Sequence, residues 1–214
     1  MSRETIERFQ LGYSGDSRDM WYAMKDAGFS DDFLIESGIF LSSSRDKFFG
    51  RIIFPITNYL GHVVGFTARV LGDGMPKYLN SPATKIFDKS AILYGLHLAK
   101  AAIAKTGDAL IVEGQMDTIA LHQAGVEIAV GISGTALTTD HIRVLRRFTR
   151  RIYLALDSDR AGVEATFRSI ENLVNENIDL QIIQIPNGKD PDEYLKSGGQ
   201  VEDLFTQAIS PLTF

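Results

Sequence analysis

The apolar residues of the second half of the chain fall into four short runs separated by stretches of helical spacing. Residues 109–113 (ALIVE) read as a short buried strand, and 127–132 (EIAVGI), 151–156 (RIYLAL) and 179–185 (DLQIIQI) as three more. Between them, residues 115–124 predict a helix stopped by Gly125. A second helix runs from a cap at Thr138 or Thr139 to about Phe148, and a third covers 160–175. Strands alternating with helices of this length predict βαβ units, a parallel sheet and helices on both of its faces.

The first half is less regular. Residues 18–27 and 31–37 predict short helices with Gly28 and Gly38 just beyond them. Residues 51–57 (RIIFPIT) and 62–70 (HVVGFTARV) predict two strands around a turn at Asn58–Gly61, and Pro55 assigns the first to a sheet edge or a bulge. Residues 73–82 read as loop, and 94–105 as a helix closed by Gly107. These elements divide the chain into a mixed α+β subdomain over 1–106, an α/β domain over 107–192, and a tail of helical character over 193–214.

Length and composition narrow the function classes. The chain has 214 residues, 44% of them hydrophobic, enough for one large domain or two small ones. There is no run of 18 apolar residues to make a membrane span, and Met1–Gln10 carries no signal-peptide pattern. The absence of cysteine excludes disulfides and any thiolate zinc site in this chain, and fits a cytoplasmic location. The net charge of −5 is unevenly spread: residues 1–106 carry +2 and residues 107–214 carry −7. An acidic half still serves nucleic acid when its carboxylates hold cations, because the ions invert the local charge.

The positions of the acids carry the chemistry. Glu113 ends the first predicted strand of the parallel sheet, Asp157 and Asp159 end the third, and Asp190 and Asp192 follow the fourth. Ligands of open parallel sheets bind outside the C-terminal strand ends, so three acidic groups converge on one rim. Asp117 lies one helical turn after Glu113 and can face the same place. Two carboxylates about 4 Å apart repel by roughly 4 kcal/mol at an effective dielectric near 20, and divalent cations are the simplest relief. All-oxygen ligands suit Mg²⁺, Mn²⁺ or Ca²⁺. The plainer alternative is a set of loop acids and helix caps, a role open to Asp159 in particular.

Val112-Glu113-Gly114-Gln115-Met116-Asp117, followed by Asp157-Ser158-Asp159-Arg160-Ala161-Gly162, resembles the Toprim pattern of a glutamate and an Asp-x-Asp pair. That pattern is shared by primases, topoisomerases, RecR-type recombination proteins and some nucleases. The first half narrows the choice. Arg51–Ile56, Gly65–Leu71, Pro76–Pro82, Ile86–Lys89 and Leu93–Leu96 resemble the RNA-polymerase domain of bacterial DnaG-type primases, and Gly188–Glu193 continues the likeness. The resemblance covers nearly the whole chain. It departs at Gln115, where members of the family often carry an aromatic residue. It begins inside the polymerase domain and stops about twenty residues after Asp192, so the family's zinc-binding and helicase-binding domains are expected to lie outside this chain.

The resemblance implies a Toprim domain preceded by a smaller α+β subdomain, working as a primase core that makes short RNA primers on single-stranded DNA. It implies Glu113, Asp157 and Asp159 as the central catalytic and metal-binding acids, with Asp117, Asp190 and Asp192 as supporting ligands of Mg²⁺ or Mn²⁺. Arg51, Arg69, Lys77, Tyr78, Asn80 and Lys89 would form a facing wall for template or nucleotide. The implied partners are single-stranded DNA, ribonucleoside triphosphates and, through a domain outside this chain, a replicative helicase, in bacterial, phage or plasmid replication. Lys77 and Lys89 also read as solvated loop lysines, and Tyr78 as a packing aromatic. The run Arg143, Arg146, Arg147, Arg150, Arg151 is open between a phosphate-contacting face and a solvated helix face. His62, His97, His122 and His141 carry no assigned role. The rival functions are another Toprim enzyme, nuclease or topoisomerase-like, and a non-catalytic fragment that binds metal, nucleotide or nucleic acid.

Overall fold

The computed structural model describes residues 1–15, 17–42, 45–134, 136–157, 178–185, 190–211 and 213. The chain divides into two compact units. One comprises Ile6–Ile56 with Val63–Asp88, the other Met1–Thr5, Thr57–His62 and Lys89–Phe214. Among the described residues no helix is long and apolar enough to cross a membrane.

The N-terminal part runs α1 (Arg3–Arg8), β1 (Gly12–Tyr13), α2 (Ser17–Asp26), α3 (Asp31–Glu36), β2 (Phe40–Ser42), β3 (Arg45–Asp46), β4 (Arg51–Thr57), β5 (Val63–Val70) and β6 (Tyr78–Asn80). The Ser30 hydroxyl caps α3 by accepting from Phe33 N at 3.2 Å, the usual solution for an orphan amide at a helix start. Trp21 of α2, Leu34 of α3 and Phe40 of β2 form a small buried cluster, with the Trp21 and Phe40 rings edge to face at 5.0 Å.

The main sheet of this unit has the order β1-β4-β5-β6. β4 is therefore an inner strand, not the edge strand that Pro55 predicts. The proline is tolerated because its flank has run out of partners. Arg51 O accepts from Ser14 N, so the backbone of residues 51, 53 and 55 faces β1, and β1 ends opposite Ile53. The loop expected over 73–82 contains β6, which pairs antiparallel with Thr67–Arg69. Three polar-to-mixed residues between prolines leave no periodic signal, and the strand is made by its neighbour.

The second unit holds α4 (Leu96–Thr106), β7 (Asp108–Val112), α5 (Gln115–Gln123), β8 (Ala129–Gly131), α6 (Thr139–Leu145), β9 (Arg151–Ala155), β10 (Asp179–Ile182), α7 (Pro191–Lys196) and α8 (Val201–Thr206). Its sheet has the order β10-β9-β7-β8 with every pair parallel, as the alternating pattern predicts. Side chains of β7 alternate between two cores. Ala109 and Ile111 pack with Leu96, Ala99 and Ile103 of α4 and with Ile142 and Leu145 of α6. Leu110 and Val112 pack with Leu121 of α5, Tyr194 of α7 and Leu204 of α8. The helix expected over 160–175 lies outside the described residues.

Two boundaries differ from the sequence reading. Helix α4 supplies Leu96, Ala99 and Ile103 to the core of the parallel sheet, so the units divide at Asp88–Lys89 and not at 106–107. The tail over 193–214 is part of the same fold. The 192–193 boundary cuts through α7, and Phe205 sets its ring edge-on against Tyr153 of β9 at 5.1 Å.

Candidate active site

β7 and β9 are adjacent and in register, Val112 opposite Ala155, so whatever follows them arrives at the same end of the sheet. Glu113 comes directly after β7 and Asp157 two residues after β9. The two acids meet there: Asp157 N donates to Glu113 Oε1 at 3.1 Å. Asp159, the third central acid, lies outside the described residues.

The backbone behind these acids is tightly built. Gly114 N donates to Asp117 Oδ2 at 3.1 Å, the Thr118 hydroxyl donates to Gly114 O at 2.9 Å, and Gly134 N donates to Glu113 O at 3.4 Å. Gly131, ending β8, faces this turn so closely that a Cβ would stand 2.7 Å from Thr118 Oγ1 and 3.1 Å from Gly114 O. A side chain there would push β8 from the strand that carries Glu113.

Asp117, Asp190 and Asp192 form a second group, where α5 meets α7. Asp117 is 7% exposed and its other oxygen, Oδ1, accepts from Asp192 N at 3.3 Å. Burial chiefly, and then the negative charge of Asp190, push its pKa up to about 6, against the pull of the two backbone N–H groups. Asp190 caps α7, accepting from Glu193 N at 2.7 Å, and Asp192 pairs with Lys196 at 2.6 Å. The charge of Asp192 is thus answered within its own helix. Among the described residues no three carboxylates stand close enough to cage an ion.

The residues expected on the basic wall divide between the two units, Lys89 in one and the other five in the other. Arg51 is buried, and its guanidinium donates to Pro76 O at 2.8 Å and Lys77 O at 3.5 Å, so it anchors the loop that leads into β6. Tyr78 lies opposite Arg69 on β5, with the Arg69 guanidinium 5.7 Å and the Lys77 ammonium 5.9 Å from its ring centre. Asn80 Oδ1 accepts from the Thr67 hydroxyl at 2.6 Å. Lys89 belongs to the unit that carries the acids.

Sequence reasoning missed His141. It is fully buried. Its Nδ1 accepts from Thr138 N at 3.2 Å, which leaves Nε2–H to donate to Lys89 O at 2.8 Å. The ring caps α6 and fixes the backbone of Lys89 at once. A histidine three residues after a capping threonine, where glutamate is usual, was the available signal.

Residues 1–100 match the family model described as DNA primase catalytic core, N-terminal domain, and residues 110–195 match the Toprim-like model. The chain is 44% identical to the DNA primase of Clostridium acetobutylicum over 205 residues, which is 94% of this chain and 34% of that protein. It is 39% identical to the DNA primase of Geobacillus stearothermophilus, covering 92% of this chain and 34% of that protein. The chain thus spans about a third of the length of the curated relatives it matches. Among solved structures, the E. coli primase catalytic core superposes with a TM-score of 0.86 at 38% identity, covering 98% of this chain and 70% of that one. The DnaG primase catalytic domain bound to single-stranded DNA superposes with a TM-score of 0.88 at 37% identity, covering 98% and 69%. With both of its halves matched, in order and in fold, the chain belongs to the family of bacterial DnaG-type primase catalytic cores.

Proposed function

We propose that this chain carries the nucleotidyl-transfer site of a primase and joins ribonucleotides into short RNA primers on a single-stranded DNA template. The observation that carries the reading is the meeting of Glu113 and Asp157 at the C-terminal ends of adjacent parallel strands. An all-carboxylate donor set fits Mg²⁺ or Mn²⁺. Glu113, Asp157 and Asp159 would hold the ions, with Asp117 and Asp190 in support and Asp192 tied to Lys196. Bound there, divalent cations supply charge neutralisation for the triphosphate and activation of the 3′-hydroxyl. The protein's own part is to keep the acids aligned. Glu113 is set by its place after β7, and the backbone of Asp157 is tied to it. With a cation bound nearby Asp117 would give up its proton more readily, because the positive charge would offset the burial and the repulsion from Asp190.

Arg69, Lys77, Tyr78 and Asn80 are assigned to template or nucleotide phosphates and bases, and Lys89, on the unit that carries the acids, to the same task. Arg51 acts through the loop it anchors. The replicative helicase would engage a region outside this chain. The test is incubation with single-stranded DNA, labelled ribonucleotides and Mn²⁺, read on a denaturing gel. Short RNAs are expected from the parent chain and none from the Asp157→Ala/Asp159→Ala double variant. Failure to make product, together with failure to bind Mn²⁺ or nucleotide, would overturn the assignment.

A further inference from the structure

Five arginines fall between Arg143 and Arg151, in the half of the chain whose net charge is −7. The topology places most of them far from the acids. α6 ends at Leu145, before β9 begins at Arg151, and α4 ends at Thr106, before β7 begins at Asp108. The C-terminal ends of both helices therefore sit at the N-terminal edge of the parallel sheet. Two links join them there: the Thr149 hydroxyl donates to Gly107 O, and Arg151 pairs with Asp108 at 2.5 Å. Arg151 and Asp157 are six residues apart along and just beyond β9, so the two ends are separated by roughly 20 Å at about 3.3 Å per residue.

The local structure uses only part of this charge. Arg143 pairs with Asp140 at 2.7 Å and Arg151 with Asp108. Cations at Lys105 and Arg146 complement the two helix C-termini. Arg147 and Arg150 lie beyond α6 and are exposed. The side chains of Arg150 and Lys105 have no hydrogen-bond or ion-pair partner among the described residues. The Arg147 guanidinium lies 5.3 Å from the ring centre of Tyr59, which is 36% exposed, and Lys100 Nζ fixes that residue's backbone by donating to its carbonyl at 2.9 Å.

We propose that this edge is a second nucleic-acid site, one that grips the phosphodiester backbone of single-stranded DNA through Lys105, Arg146, Arg147 and Arg150, with Tyr59 offering a face to a base. Guanidinium forks match phosphate geometry, and an aromatic among cations is the combination that binds single strands without sequence preference. An acidic protein partner would be served by the charges but would make no use of the ring. The site is independent of nucleotidyl transfer, and it would hold the strand at a distance from the acids.

The test is fluorescence anisotropy of labelled dT20 in EDTA, without nucleotide, between 50 and 200 mM NaCl. The variant is Lys105→Gln/Arg146→Gln/Arg150→Gln, checked for an unchanged melting temperature. Loss of affinity of about tenfold at the low-salt end is expected. The slope of log K against log salt should also become shallower by about 2, since each phosphate contact to a single strand contributes about 0.7. Unchanged affinity and slope overturn the proposal, as does a 20-residue polyglutamate that competes as well as unlabelled dT20. A measurement on the parent chain covers the case of a variant that does not fold: an iodouracil-containing strand should photocrosslink to the peptide that contains Tyr59, and crosslinks confined to other peptides refute the site.

Discussion

Asp117 shows how one residue can serve the fold and the chemistry in opposite directions. Its carboxylate caps the turn after Glu113 and receives Asp192 N, yet burial and Asp190 hold its pKa near 6 instead of the ordinary 3.8. A carboxyl whose pKa rises on folding stabilises the fold fully below its unfolded pKa, and that contribution is lost as pH rises through the folded value. The metal-free chain should therefore lose stability from Asp117 between about pH 4 and pH 6. His97, whose pKa is lowered by burial and by Lys100, acts with the opposite sign: its contribution is lost as pH falls below the ordinary histidine value. The difference between the parent chain and Asp117→Asn in urea unfolding with EDTA isolates the first effect. It should turn against the parent as pH rises across that window, and a difference that does not vary with pH contradicts the burial argument. Glu113 and Asp157 were legible in the sequence because strand ends announce themselves. The burial of Arg51 was not, because its role depends on carbonyls 25 and 26 residues further along the chain.

Elements that carry their own signal were read from sequence, and elements made by a neighbour were not. The four parallel strands appear as apolar runs, α6 announces itself through Thr138, and α3 through the glycine just beyond it. β1 and β6 have two and three residues and exist because a longer strand pairs with each of them. Helix α7 is a case where cap and charge can be separated. Asp190 accepts from Glu193 N while repelling Asp117. Asp190→Ser keeps a capping oxygen and removes the repulsion, whereas Asp190→Ala loses both. The serine variant should be more stable than the alanine variant by about 1 kcal/mol in denaturant unfolding at neutral pH. Equal stabilities would show that the cap contributes nothing to this short helix.

For the molecule as a whole, the family match over two consecutive stretches and the division into compact units do not coincide, because α4 belongs by packing to the parallel sheet that follows it. The sequence placed that helix correctly but could not say which core it fills, since an apolar face is the same on either side of a boundary. The last residues repeat the lesson. Ile209 exchanges backbone hydrogen bonds with Ile182 at 2.8 and 2.9 Å, along the flank of β10 that no other strand covers among the described residues. We expect this short clasp to guard against self-association. A chain ended after Lys196 would retain Glu113, Asp117, Asp157, Asp159, Asp190 and Asp192, yet it would bare the outer flank of β10 and the ring of Tyr153, a ready template for another copy. Such a chain should scatter light and elute as oligomers at concentrations where the parent is monodisperse. The clasp would then be a device for solubility, placed on a flank of the sheet that takes no part in the chemistry.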